Sequence, residues 1–216
     1  IKANFSVDLV SELIEELIEK PLERHNTLFI IWNIDYLIKH KKVKDKIFNF
    51  LCHEAINNPD PEKDDVNDPR QRSINTVRGA ALDRLMRMGN KDFQTKLFIT
   101  LDKAIKQEKL LAVKFSLIHN SAFLINIDQL KAFTIFCRLI KSDKRLLKHA
   151  MWSSEYFSYK YFSKMKFFFE AALKHSDVHK ELSNILTKLY LRNTPKVEKY
   201  LFPLLKINIE ARVEAI

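Results

Sequence analysis

The sequence predicts an all-α fold, a superhelix of paired antiparallel helices, and three observations carry that reading. Only two glycines, Gly79 and Gly89, occur in 216 residues, too few for the tight primed turns that hairpins need. Apolar residues recur at helical spacing along nearly the whole chain. An apolar residue beside a base also heads a helix again and again. It occurs at Val77-Arg78, Val113-Lys114, Lys148-His149, Val178-His179 and Arg212-Val213, at intervals of thirty to forty residues. Self-similarity at that period is how helical repeats read in sequence. One helical-repeat domain over 1–216 is expected, as a piece of a larger polypeptide, with an acidic, Pro-containing loop inserted at 58–72.

The elements follow in order. Ser6 opens a helix in which Leu9, Val10, Leu13, Ile14, Leu17 and Ile18 share a face, while Glu12, Glu15, Glu16 and Glu19 form a solvated acidic side. A second helix runs from Thr27 to Lys39 with Leu28, Ile31, Trp32, Tyr36, Leu37 and Ile38 expected inward. The basic link Lys41-Lys42-Val43-Lys44 leads to a third helix ending near Asn58. Pro59 to Pro69 then holds three prolines and five acids in eleven residues, which a helix interior cannot accommodate. Its carboxylates alternate as in a calcium loop, but the turn glycine and the closing bidentate Glu are missing, so no metal site is expected there.

The reference helix runs from Ile74 to Met88. Arg78 falls in its apolar sector, which fits one end of a half-buried ion pair better than a ligand contact. Gly79 and Ala80 beside it leave room for another helix to approach closely. After Gly89 the chain settles into pairs: Phe93–Ile105 with Leu110–Ala122, Ile127–Ile140 with Lys144–Trp152, and Tyr156–Leu173 with Val178–Leu191. A further pair begins at Val197. The match at Val43-Lys44 falls in a first helix and is treated as chance.

Val77-Arg78-x-x-Ala81-x-x-x-Leu85 resembles the second helix of a HEAT-type repeat, and the stretch from 27 to 216 is similar to that family in plan. The resemblance implies stacked helix pairs. Gln71 and Arg72 stand where the family carries an Asp, so the Asp–Arg tie between neighbouring repeats lacks its local acid. Over about twenty residues, Ile74-Asn75-Thr76-Val77-Arg78-Gly79-Ala80-Ala81 after an acidic loop also resembles the helical-repeat regions of bacterial antiviral STAND-type NTPases. That resemblance implies a sensor part whose NTPase and effector lie elsewhere.

Charge and chemistry set the functional expectations. The net charge of +10 is uneven: residues 69–216 hold 28 bases against 13 acids. Such a body attracts nucleic acid or an acidic partner, although a Lys-rich composition bias gives the same surplus. Cys52 and Cys137 lack CxxC spacing and read as buried thiols of a reducing, cytoplasmic setting. His175 and His179 are spaced to clasp a metal but lack a third ligand. Phosphate-cradling glycine loops and nucleophile elbows are absent, and Trp32 and Trp152 stand apart, unlike the paired site of HEAT-like DNA glycosylases. Tyr156 to Phe169 interleaves rings with Lys160, Lys164 and Lys166, a pattern of core with snorkelling lysines or of a stacking surface. The expectation is therefore a non-catalytic recognition module without cofactor, metal, membrane or small-molecule substrate. It would bind a protein partner along second helices carrying Arg78, Lys114, Lys148, His179 and Arg212. The alternative is nucleic acid bound by that row with Lys160, Lys164 and Lys166.

Overall fold

A computed structural model describes residues 6–60 and 68–207, and among these the regular structure is helical throughout. The chain divides into two compact units, Ile1–Leu139 and Ile140–Ile216. The all-α prediction holds. No described helix is long and apolar enough to cross a membrane.

The first unit contains α1 (Val7–Leu17), α2 (Arg24–Lys39), α3 (Asp45–Asn57), α4 (Pro69–Ile74), α5 (Val77–Arg87), α6 (Gln94–Gln107) and α7 (Leu111–Asn120), with α8 (Gln129–Ser142) following. Helix α5 packs against α2, α3, α4 and α7, so it is buried almost all round. Ile31, Ile34, Leu37, Ile47, Phe48, Leu51, Leu82, Leu85, Leu101 and Leu117 make the core around it, all with essentially no exposed surface. Each such side chain stabilises the fold by about 1.5–3 kcal/mol of burial.

Several expectations change here. Residues 69–72, read as part of the loop, belong to α4, because Pro69 suits a first helical position and the Asp68 carboxylate accepts the Gln71 amide at 2.9 Å. The reference helix consequently starts at Val77, and Ile74 belongs to α4. Trp32 and Tyr36 face outward, 41% and 38% exposed. Apolar residues surround α2 almost completely, and Leu28, Ile31, Ile34 and Leu37 form the side that is buried. Leu9 and Leu13 of α1 are likewise exposed. The acidic side of α1 is not simply solvated: Glu15 pairs with Lys44 at 2.9 Å, Asp8 with Lys42 at 3.5 Å, and Glu19 with Lys46. The calcium-loop reading concerns a segment lying mostly outside the described residues.

The second unit contains α9 (Met151–Tyr161), α10 (Lys166–Ala172), α11 (His179–Leu191) and α12 (Glu198–Ile207). Two short 3-10 turns, Lys144–Leu146 and Lys148–Ala150, precede α9 where a second helix was expected. The single helix predicted over 156–173 is interrupted by another 3-10 turn at Phe162–Met165. That break turns Phe162, Met165, Phe168 and Phe169 inward together, and Phe162, Phe169 and Tyr200 lie ring to ring at 5.0–5.9 Å. Three consecutive phenylalanines, Phe167 to Phe169, are accommodated this way, with half-buried Phe167 shielded by Lys141 5.3 Å from its centroid.

Candidate functional site

The residue singled out by the repeat, Arg78, sits at the second position of α5. A helix start leaves amides without intrahelical partners and carries partial positive charge. Here the Asp60 carboxylate meets both needs, accepting the Val77 amide at 2.7 Å and the Arg78 amide at 2.6 Å, while Thr76 Oγ1 accepts from Gly79. The Arg78 guanidinium donates from Nε to Glu108 Oε2 at 2.9 Å and from Nη1 to the Asn58 carbonyl at 2.7 Å. The other oxygen of Glu108 accepts the amides of Lys109 and Leu110, both at 2.8 Å, just ahead of α7. Asp60 is wholly buried, Glu108 nearly so, and the Arg78 side chain is 18% exposed. The starts of α5 and α7 are thereby tied through one arginine.

The carboxylate bonded by the Arg78 side chain therefore comes from Glu108, 30 residues downstream, with Asp60, 18 residues upstream, 4.0 Å from its Nε. A surface cleft of about 610 Å³ opens beside this node, lined by Ala55, Ile56, Pro59, Ala104, Gln107 and Leu110. Asp60, Arg78 and Glu108 at its edge are committed to one another, so this node fixes helices, while exposed Lys109 also lines the cleft. A second node lies across α2 and α5. Asp35 lies 3.0 Å from Arg84 Nε and 3.7 Å from Arg87, and Asp83 joins both arginines and accepts from Asn120 at 2.9 Å. His119, close to this node on α7, is pushed below the ordinary histidine range by burial and by Arg70, against the pull of Asp83.

The other predicted residues differ in their surroundings. Lys114 is half-buried on α7, a helix enclosed on nearly every side. His179 is 5% exposed, and its Nε2 lies 3.0 Å from the Leu173 carbonyl oxygen, which makes it a core residue. His175 is exposed, and no metal-holding cluster of His, Cys, Asp or Glu occurs among the described residues. Lys148, Lys160, Lys164 and Lys166 are exposed; Lys160 and Lys164 lie over the Tyr161 ring, and Lys166 pairs with Glu170 at 3.6 Å. Arg212 lies outside the described residues. Of the two cysteines, Cys52 is buried, with its thiol pushed up by desolvation, and Cys137 is half-buried.

Sequence reasoning missed the exposed apolar surface of the first unit. Phe29, Trp32 and Tyr36 fall within about 60° of one another around α2 at 100° per residue. Ile74 of α4 completes the patch, and Phe29 is the most open member at 64% exposure. Trp32 Nε1 donates to the Ile74 carbonyl at 3.0 Å, and Arg24 Nη2 donates to the Asn75 carbonyl at 2.5 Å. These bonds hold the two helices as one face. Exposed Arg24 and Arg70 edge it. The spacing of 29, 32 and 36 was the available signal, but it reads the same for a core stripe. Comparisons with family models, with curated proteins and with solved structures found no match.

Proposed function

We propose that the chain is a non-catalytic helical-repeat recognition module that binds a protein partner through the face shared by α2 and α4. The repeat pattern and its resemblance to HEAT-type helices support the architecture. The stretch resembling antiviral STAND-type NTPases fits a sensor part within a larger protein. One observation carries the site: a preformed patch of two aromatic rings, an indole and an isoleucine outside the core. Contiguous exposed apolar surface marks interaction sites, and Trp with Tyr dominates binding energy where interfaces have been dissected. Because Arg24 and Arg70 edge the patch, the partner is a segment whose apolar side chains are flanked by carboxylates.

Selection of displayed helical peptides on the full chain, with counter-selection on a Trp32→Ser variant, tests this. The expected products carry apolar residues at i, i+3 or i+4 and i+7 beside Asp or Glu. Their affinity falls about 30-fold or more on Phe29→Ser or Trp32→Ser. Peptides that bind the variants equally well, or no enrichment at all, would overturn the reading.

A further inference from the structure

We propose that the second unit carries a separate site for single-stranded nucleic acid on the outer faces of α9 and α11. This inference is independent of the protein-binding face in the first unit. It begins with α9, where Phe157 and Tyr161 point into the core while Trp152, Tyr156 and Tyr159 stay at the surface, 36%, 47% and 39% exposed. Positions 152, 156 and 159 follow i, i+4, i+7 spacing, so the three rings form one stripe along the helix. Trp152 and Tyr156 meet edge to face with centroids 5.0 Å apart.

Two contacts fix the neighbouring helix against that stripe. Lys188 Nζ donates to Glu155 at 2.8 Å, and the Arg192 guanidinium lies 4.0 Å from the Tyr159 ring centroid. Both partners advance by four residues together, so α9 and α11 run parallel there. Continuing that register backward within the helices sets Asn184 level with Met151, one residue before Trp152; Lys180 lies one turn earlier on α11, and Lys148 precedes α9 in a 3-10 turn. The result is two adjacent rows: Trp152, Tyr156 and Tyr159 on α9 with Lys148 in the turn ahead of it, and Lys180, Asn184 and Lys188 on α11 with Arg192 at its end. In the second row a polar or basic side chain recurs every four residues, about 6 Å apart along the axis.

The acids nearby are few. Glu155 is taken up by Lys188 and by the Tyr159 hydroxyl at 3.1 Å, and Glu181 is exposed at the start of α11. With Lys160 included, five bases stand against Glu155, Glu181 and the exposed Asp177 just ahead of α11. Burial and Glu155 also raise the Tyr159 phenol above its ordinary value, so it adds no negative charge near neutrality.

Rings flanked by a regular row of cations are what an unpaired strand requires. Its bases stack on aromatic faces and its phosphates track the bases of the protein, whereas a duplex hides its base faces.

The test is anisotropy of labelled oligo(dT) and oligo(rU) with the full chain, read across salt and compared with a duplex and with phosphatidylserine vesicles. Single strands should bind more tightly than duplex. A strand contacting three or four phosphates should give a log–log salt slope near −2 to −3, at about −0.7 per contact. Tyr156→Ala should weaken binding about 5- to 100-fold through lost stacking, and Lys180→Ala should flatten the slope by about 0.7. Trp32→Phe should leave binding unchanged and make Trp152 the sole reporter for quenching. Equal affinity for duplex together with indifference to Tyr156→Ala would overturn the proposal, as would vesicles displacing the strand or no binding at low salt. Melting curves of the variants, which alter exposed side chains, check that the fold persists.

Discussion

Residues 1–139 carry 22 bases and 19 acids, whereas residues 140–216 carry 15 bases and 8 acids, and the two units use these charges differently. In the first unit the acids stand where helix starts and guanidinium groups converge. Asp60 takes two amides of α5, and Glu108 takes two amides ahead of α7 together with Arg78. Asp35 and Asp83 hold Arg84 and Arg87. Beside these ties Phe29, Trp32, Tyr36 and Ile74 lie exposed. In the second unit Glu155 engages Lys188, Lys148 and Lys180 are exposed, and Arg192 lies against the Tyr159 ring. A base at the position that recurs along the sequence therefore does not identify a binding residue until the acids facing it are known. Arg78 and Lys148 share a sequence position and have opposite surroundings.

The sharpest way to break this contrast is to remove one charge from each unit. Asp60→Ala leaves the Val77 and Arg78 amides without their acceptor at a buried position, while Glu108 still holds the Arg78 guanidinium. It should cost about 2–5 kcal/mol in urea denaturation, at about 1–3 kcal/mol for each unsatisfied buried donor. Lys180→Ala, on an exposed face, should stay within about 0.5 kcal/mol. Comparable losses in both would mean that the charges of the second unit are also structural.

A smaller effect tests whether the α2 and α4 face is preformed. A methyl group on Gly79 would fall inside contact distance of the Ser73 carbonyl oxygen and 2.5 Å from Thr76 Oγ1. Helix propensity alone favours alanine by roughly 0.5–1 kcal/mol, but the α4 backbone cannot yield as a flexible side chain would. Gly79→Ala should therefore be net destabilising by about 1–3 kcal/mol, measured by the urea midpoint. A neutral or stabilised variant would show that α4 shifts freely, and the patch would lose its fixed Ile74.

Much of this was legible in the residues themselves. Helical spacing and the scarcity of glycine were enough for the all-α class. The apolar sector around Arg78 marked a half-buried ion pair, and Gly79 marked a close approach. Its partners were not legible, because Asp60 lies beyond an intervening segment and α4, and Glu108 lies 30 residues downstream; only folding brings them together. Trp32 and Tyr36 were misplaced for a related reason. A helix with apolar residues around most of its circumference does not say which side its neighbours cover. In α9 the same ambiguity hid a division of labour, since Phe157 and Tyr161 fill the core while Trp152, Tyr156 and Tyr159 do not.

The smallest expected change in stability bears most directly on the second unit. Glu155 and Lys188 are partly exposed, at 29% and 44% of their side chains, so their pair contributes only about 0.2–1 kcal/mol. Lys188 is held above the ordinary lysine value chiefly by its bond to Glu155 and stays charged without it near neutrality. Glu155→Gln should thus barely move the urea midpoint. It removes the carboxylate that stands within the two rows and releases Lys188 toward a phosphate. Affinity for oligo(dT) should rise, and the salt slope should steepen by about 0.7. Unchanged affinity with an unchanged slope would mean that Lys188 is not on the path of the strand. The basic row would then end in Arg192 stacked on Tyr159 without a working cation one turn before it.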